Sequence, residues 1–164
     1  MKNLLLAALV TVSLSQEITA QVSMAMPPDA DEFYNRSMPL LRPQVKQIVL
    51  QTAESIKHHK INSDSLFNSL HKNSVLKGMS NNDIEGITVL IMVQVSKDAD
   101  NDLKKMVMEI SRTSSQNNSV AKENDSQNSK LQVIMDRKSG MAEEIGYVMK
   151  KISGAQQDII DNLK

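Results

Sequence analysis

The placement of glycine and proline constrains this chain more than any other feature of its sequence. All four prolines precede residue 44, and no glycine or proline occurs between Gly86 and Gly140. Proline breaks the interior of a helix, and glycine weakens one by about 1 kcal/mol relative to alanine. Aromatic side chains, on which β-sandwich strands usually draw, number only four in 164 residues. We therefore predict an all-α fold, a helical bundle.

The most apolar segment after the first twenty residues is predicted to be the central helix of this bundle. Ser80 and Asp83, three residues apart just before the apolar run, make a capping-box-like start. Residues 87–95 are nearly all apolar, and apolar positions then recur at steps of three and four through Ile110. A buried strand also fits such a run, but the cap and the continuing register favour a helix. The run is too short to cross a bilayer, which takes about 20 residues.

The first 20 residues have the composition of a signal peptide. Lys2 supplies a positive n-region, Leu4 to Leu14 form the apolar h-region, and an acceptable cleavage site ends at Ala20. We predict cleavage after Ala20, with a second possible site after Ala25 and an uncleaved membrane anchor as the alternative. The chain contains no cysteine, so it has no lipidation site and no disulfide. The expected localisation is periplasmic or secreted, in a bacterium.

The mature chain is predicted to begin with a leader and to continue as a helical domain. Residues 21–42 are expected to be extended or disordered because prolines punctuate them. Four apolar residues of this leader are candidates to dock on the bundle: Phe33, Tyr34, Leu40 and Leu41. The helical domain is expected over residues 43–164, with Pro43 in the first turn of its first helix. Its helices are predicted at about 43–60, 64–77, 81–115 and 128–163.

The polar segment 111–130 interrupts an apolar stripe without changing its heptad phase. Steps of three and four residues from Leu103 lead through Asn117 and Asn124 to Ile159. Two structures fit: one long helix with buried asparagines, or two antiparallel helices joined by a polar tip. A mainly polar segment of twenty residues makes a long loop for a compact domain, so helix should extend into it from each side. We favour the second structure, a long antiparallel coiled-coil-like helical hairpin.

Two histidines near the end of the first predicted helix raise the possibility of metal binding. Glu54 and His58 are four residues apart, so both side chains could face one metal ion, with His59 beside them and His71 on the next helix. No second histidine stands four residues from the first, and no HExxH pattern occurs. A solvated helix end is therefore the preferred interpretation.

The methionines and a run of aspartates are the other candidate ligands. Met106 and Met108 carry thioethers that suit Cu(I), but two residues apart on a helix they point to different faces. Asp98, Asp100 and Asp102 follow part of a calcium-loop pattern, yet its glycine and distal glutamate are absent. We assign no catalytic, cofactor-binding or metal-binding residue and expect no cofactor.

Charge and motifs together favour a non-catalytic role. The formal net charge is zero, so the chain has no basic field for nucleic acid. No nucleophile elbow or phosphate-binding loop occurs. We predict an exported protein that acts through helix–helix contact with a protein partner, or by self-association through the Leu103–Ile159 stripe. The alternatives are a membrane-active or translocated effector that inserts Ile87–Val95, and a periplasmic carrier of a small ligand or metal that uses His58 and His59.

Overall fold

The computed structural model of the protein describes residues 26–116 and 121–164, without the side chains of 113–116 and 121–125. The described residues form six α-helices and one 3-10 turn, Ser74–Leu76, with no strand, which confirms the all-α class. The predicted signal peptide, 1–20, lies outside the described residues. In chain order the helices are α1 (Pro28–Ser37), α2 (Pro43–Ile56), α3 (Ser63–His71), α4 (Asn81–Gln116), α5 (Ala121–Ile152) and α6 (Gln156–Leu163).

Helix α4 is the central element of the bundle, as its apolar run predicts. It contacts each of the other five described helices. From Ile87 to Val95 its side chains are buried on every side except at the half-buried Gln94. The capping box also forms, because the Asp83 N–H donates to the Ser80 hydroxyl at 3.2 Å and the Ser80 N–H donates to the Asp83 carboxylate at 3.1 Å. Burial on all sides explains why this part of the helix has no polar face.

Helix α1 corrects the prediction that residues 21–42 are extended or disordered. Pro28 stands at the first helical position, where its missing N–H costs no hydrogen bond and its fixed φ suits the helix. The buried side of α1 packs on the core through Ala30 and Phe33. Of the four candidate docking residues, Phe33 and Leu41 are buried, Tyr34 is half-buried and Leu40 is exposed.

The structure also breaks two of the predicted helices. The helix expected at 64–77 ends at His71, and the Asn73 side chain then accepts the Val75 N–H at 2.9 Å to start the 3-10 turn. The helix expected at 128–163 ends at Ile152, and a turn over residues 153–155 separates it from α6. The helix expected at 43–60 ends earlier, at Ile56. These breaks let α3 and α6 fold back onto α4.

Helices α4 and α5 lie against each other and run antiparallel. Lys138 pairs with Asp100, whereas Lys151, further along α5, lies 3.8 Å from Glu85 near the start of α4. Helix extends into the polar segment 111–130 from both sides, and only 117–120 between the two helices lie outside the description. One straight helix would hold residues 38 positions apart at about 57 Å. The Lys138–Asp100 contact therefore excludes the long-helix alternative.

The predicted heptad stripe follows the inner side of the α4–α5 pair and ends at Ile159 on α6. Its C-terminal half is buried within the chain, at Met141, Ile145, Val148, Ile152 and Ile159. Its members at the far end of the pair are only half-buried, and these are Leu103, Met106, Ile110, Leu131 and Ile134. Asn117 and the side chain of Asn124 lie outside the description. Much of the stripe is therefore already buried by contacts within a single chain.

Candidate interaction surface

Two polar contacts fix one flank of α5 against the segment between α2 and α3. The Arg137 guanidinium donates to the Lys57 carbonyl at 2.7 Å. The Glu144 carboxylate accepts the Ser63 N–H at 3.1 Å and also the Ser63 hydroxyl. Ser63 is the first residue of α3, where backbone N–H groups lack helical partners and the helix dipole favours an anion. These contacts hold the segment between α2 and α3 along one side of α5.

A groove lies along α5 beside this segment, and Arg137 and Glu144 both line it. Its first part, about 440 Å³, lies between α5 and the side chains of His58 and Met106. Its second part, about 530 Å³, lies beside Ile61. Both parts are lined by Val133 and Arg137, so they are adjacent along one face of α5, and together with the third part below they are called here the α5 groove.

A third part of about 280 Å³ extends the α5 groove towards the C-terminal end of the helix. Glu143 and Glu144 line both the second and the third parts, and Tyr147 lines the third. The groove thus has apolar residues at both ends and charged residues in between. Gly140 lies near the middle of its length.

Several large apolar side chains on α4 and α5 are exposed. Seven large hydrophobic side chains of the described residues are exposed, and four of them belong to this pair: Val107, Met108, Val133 and Tyr147. Met108 is 65% exposed, Val133 56% and Tyr147 52%. Val133 and Tyr147 are two heptads apart, so they share one face of α5 with Gly140 midway between them. Apolar side chains along a groove mark an interaction surface more than single exposed residues do.

The histidines are not brought together by the fold. Glu54 pairs with Lys57 at 2.6 Å, and α2 ends at Ile56, so the helical spacing that would have paired Glu54 with His58 is lost. His71 packs its ring edge against Phe67, with centroids 4.6 Å apart. Among the described residues, no group of three or more histidines, aspartates or glutamates could hold a metal ion.

The aspartates and methionines singled out from the sequence are also dispersed. Each aspartate has its own contact within the chain. Asp98 accepts a hydrogen bond from Gln94, Asp100 forms an ion pair with Lys138, and Asp102 forms one with Lys105. Met106 is half-buried beside α5, whereas Met108 is exposed, as their two-residue spacing predicts. This arrangement is that of a partly solvated helix.

A polar cluster around Tyr34 joins α1 to the middle of α4. The Tyr34 hydroxyl hydrogen-bonds the Gln94 side-chain oxygen, and Lys97 pairs with Asp31 at 2.6 Å. The Lys97 ammonium also lies 5.1 Å from the centre of the Tyr34 ring, within range of a cation–π interaction. Burial, followed by the negative charges of Asp98 and Asp31, raises the pKa of Tyr34 above its usual 10.0. The neutral hydroxyl is therefore held as a donor between the two helices.

Comparison with known proteins identifies no relative for this chain. A scan against protein-family models and searches of curated proteins and of solved structures find no match. None of the helices that the structure describes has the length and hydropathy of a membrane span. The α5 groove and the exposed residues beside it are the surface on which a function can be argued.

His58, Asp102 and Met106 of the α5 groove are singled out from the sequence as candidate metal ligands, but Val133, Arg137, Gly140 and Tyr147 are not. The heptad pattern directs attention to the buried side of α5, at positions such as Met141 and Ile145. Which other side of α5 contacts the rest of the chain depends on long-range contacts, such as the one between Glu144 and Ser63, which are 81 positions apart. The sequence carries one local signal of this surface. Val133, Gly140 and Tyr147 are spaced by seven residues, so they lie on one face of a helix.

Proposed function

We propose that this protein is a non-catalytic, exported helical protein that works by helix–helix contact with another polypeptide. The observation that carries the proposal is the position of two exposed apolar side chains, Val133 and Tyr147, on one face of α5 along the α5 groove. An amphipathic helix of a partner can lay its apolar face in such a groove. No reaction is required of the surface.

The finer architecture belongs to the same proposal. We take the α4–α5 pair to pack as an antiparallel coiled-coil-like hairpin over its distal part, where the stripe residues Leu103, Met106 and Ile110 are half-buried. A two-helix contact covers each apolar residue on one side only. Half-buried apolar residues at this end, including those of the Leu103–Ile159 stripe, are available for contact with a partner or a second copy.

Export is supported by the predicted signal peptide. The first described helix begins at Pro28, eight positions after Ala20. Cleavage after Ala20 or after Ala25 leaves all six described helices in the mature chain. The mature protein would then be periplasmic or secreted.

A carrier of a small ligand is the second candidate, and one observation favours it. His58 and Met106 both line the first part of the α5 groove, and the second part has a volume of about 530 Å³. Small-molecule sites commonly measure about 300–1,000 Å³. Calorimetric titration with zinc, copper and heme tests this role, and the absence of heat with all three would remove it.

Site-specific photo-crosslinking in the cells that export the protein tests the main proposal. A photoreactive amino acid replaces Met108 on α4 or Tyr147 on α5, and the matched control replaces Leu50, which is 43% exposed on α2. Adducts should form from the α4 and α5 positions and not from the α2 position. Mass spectrometry then identifies the partner. Intact protein without adducts at Met108 and Tyr147 would overturn the proposal.

A further inference from the structure

We infer that the first part of the α5 groove binds an amphipathic anion, with a carboxylate-like head group and a single hydrocarbon chain. The inference rests on the same groove as the proposed function. It goes further than the carrier role, because it names a class of ligand that is neither a metal nor heme. The volume of this part, about 440 Å³, lies within the range of about 300–1,000 Å³ that is usual for small-molecule sites.

Basic side chains from two parts of the chain line this cavity. Lys130 and Arg137 are seven residues apart on α5, so they lie on one face of that helix. His58 lines the same cavity from the turn that follows α2. All three side chains carry N–H donors, and the ammonium and guanidinium groups are cations at neutral pH. The cavity thus offers several donors, two of them charged, to one acidic group.

The chain itself does not neutralise these charges. Among the side chains that the structure describes, no carboxylate lies within ion-pair distance of Lys130 or Arg137. Arg137 donates one of its five N–H groups to the Lys57 carbonyl at the end of α2, where the helix dipole offsets only about half a unit charge. Asp102 also lines the cavity, but Lys105 lies 3.7 Å from its carboxylate. An excess of positive charge therefore remains, and a bound anion would neutralise it.

The remaining wall of the cavity requires hydrocarbon. Met106 and Ile134 are half-buried there, and Val133 is exposed. Contact with an alkyl chain removes this apolar surface from water, and the flexible thioether of Met106 adapts to such a chain. An inorganic anion would leave the apolar wall uncovered, and a neutral lipid would leave the cations unpaired. A ligand that joins an acidic head group to hydrocarbon satisfies both walls.

The sign of the charge changes along the α5 groove, and this fixes the position of the head group. Three carboxylates line the second part beside Lys60, and they belong to Asp136, Glu143 and Glu144. An anion is repelled there and attracted in the first part. Arg137 lines both parts, and its planar fork can hold a carboxylate by two parallel hydrogen bonds. The head group therefore lies on the Lys130 side of Arg137.

Isothermal titration calorimetry of the mature full-length protein with sodium dodecanoate, kept below the concentration at which it forms micelles, tests the inference. We expect saturable binding with one site per chain. Sodium acetate has the head group without the chain, and dodecyltrimethylammonium has the chain with a cationic head. Each should bind at least about tenfold more weakly, because each loses one set of contacts. Equal affinity for dodecanoate and dodecyltrimethylammonium would contradict the inference.

Vesicles of phosphatidylglycerol distinguish a free amphiphile from a membrane surface as the source of the anion. We expect the protein to bind dodecanoate in solution and not to float with the vesicles, because one cavity of this size holds one chain. Flotation with the vesicles, without binding of free dodecanoate, would overturn the inference in favour of a membrane surface.

Charge variants at exposed positions test the head-group site without disturbing the core. Lys130 is exposed, and K130E should weaken dodecanoate binding about tenfold through loss of a charge-assisted contact. The matched control K104E changes an exposed lysine of α4 that lies outside the cavity, and it should leave the affinity unchanged. Ser126 lines the cavity and is exposed, so S126K should strengthen binding and S126D should weaken it. Equal affinities of K130E and K104E would exclude the site.

Two methionines of α4 report where the hydrocarbon chain lies. Met106 lines the cavity, whereas Met108 is exposed and points to a different face. In protein labelled at the methionine methyl groups, dodecanoate should shift the NMR signal of Met106 and not that of Met108, with M106L and M108L giving the assignments. A response of Met108 alone, or a wild type that does not bind dodecanoate, would overturn the inference. Partner adducts from Tyr147, or binding of heme, in a protein that does not bind dodecanoate would leave the helix–helix or the carrier role standing and overturn this ligand alone.

Discussion

The side-chain amide of Asn162 donates a hydrogen bond of 3.0 Å to the carboxylate of Asp83. The same carboxylate accepts the N–H of Ser80, so one buried side chain caps α4 and also holds α6 in place. The end of α6 is fixed a second time, because the Arg42 N–H donates to the Leu163 carbonyl at 3.0 Å. The start of the central helix and the last turn of the chain are thus joined through polar groups.

Replacing Asp83 should destabilise the protein more than the loss of an ordinary helix cap. D83A removes the capping carboxylate and leaves the Asn162 amide without its acceptor, and we expect a loss of about 2–3 kcal/mol in the free energy of unfolding by urea. The control is N62A, which removes the cap of α3, where the Asn62 side chain accepts only the Ser65 N–H at 2.9 Å. It should cost about 1 kcal/mol. Equal losses in the two variants would contradict the double role of Asp83.

Gly86 is required by the close approach of α6 to α4. A Cβ at Gly86 would lie 2.5 Å from Cγ2 of Ile159, whose side chain is buried. G86A should therefore lower the free energy of unfolding by about 1–3 kcal/mol, despite the better helix propensity of alanine. Thermal and urea unfolding measure the change.

Two further variants show whether the cause is steric. I159L removes the methyl group nearest to Gly86, so the double variant G86A/I159L should lose less stability than the sum of the two single variants. G140A is the matched glycine control, since a Cβ at Gly140 meets nothing within 4 Å, and it should be neutral or stabilising by up to about 1 kcal/mol. Destabilisation of the same size at both glycines would point to backbone conformation instead of the contact with Ile159.

The central helix could be predicted from the sequence because its signals are local. Ser80 and Asp83 are three residues apart, and the cap that they predict forms as expected. Helix α1 could not be predicted in this way. Pro28 indicates an irregular segment when only composition is considered, yet it fits the first turn of a helix. That helix is held by the burial of Phe33 and by the bond from Tyr34 to Gln94, 60 positions away in the chain.

The candidate interaction surface could not be predicted from the sequence for a related reason. The periodicity of α5 identifies the face that carries Ile145 as buried, and this is confirmed. It does not say which of the remaining sides faces another helix, because that depends on long-range contacts such as Glu144 with Ser63. The turn before α6 could not be predicted from local sequence either, because the packing of Ile159 beside Gly86 holds the last helix on α4.

Cysteine crosslinking can test the antiparallel register of α4 and α5 in solution. The chain contains no cysteine, so an engineered pair reacts without background. D100C/K138C places the two thiols where the structure has an ion pair, and a short bismaleimide should link them within one chain at high yield. The control N101C/K138C moves one thiol to an exposed neighbouring position and should react far less. Equal yields from both pairs would contradict the register.

The export prediction is tested on the mature N-terminus. Protein recovered from the periplasm or the medium should begin at Gln21, as cleavage after Ala20 requires, and A20R should block that cleavage because the signal peptidase needs a small residue there. Edman degradation or mass spectrometry gives the first residue. A start at Met26 would identify the second site, and an intact Met1 in the membrane fraction would indicate a retained anchor.

Stability at alkaline pH should depend on Tyr34. Its pKa is raised first by burial and then by Asp98 and Asp31, so the folded protein favours the neutral hydroxyl. The resulting stabilisation is fully present below the unfolded pKa of 10.0 and is lost as the pH rises through the folded pKa. In Y147F, where Tyr34 is the only tyrosine, tyrosinate absorbance should titrate above pH 10 in buffer and near 10 in urea. The free energy of unfolding of Y34F should fall less steeply above pH 10 than that of the wild type. Lysines such as Lys57 and Lys151 are present in both proteins, so the difference between the two curves reports Tyr34 alone. A folded midpoint at or below 10 would contradict the burial of the hydroxyl between α1 and α4.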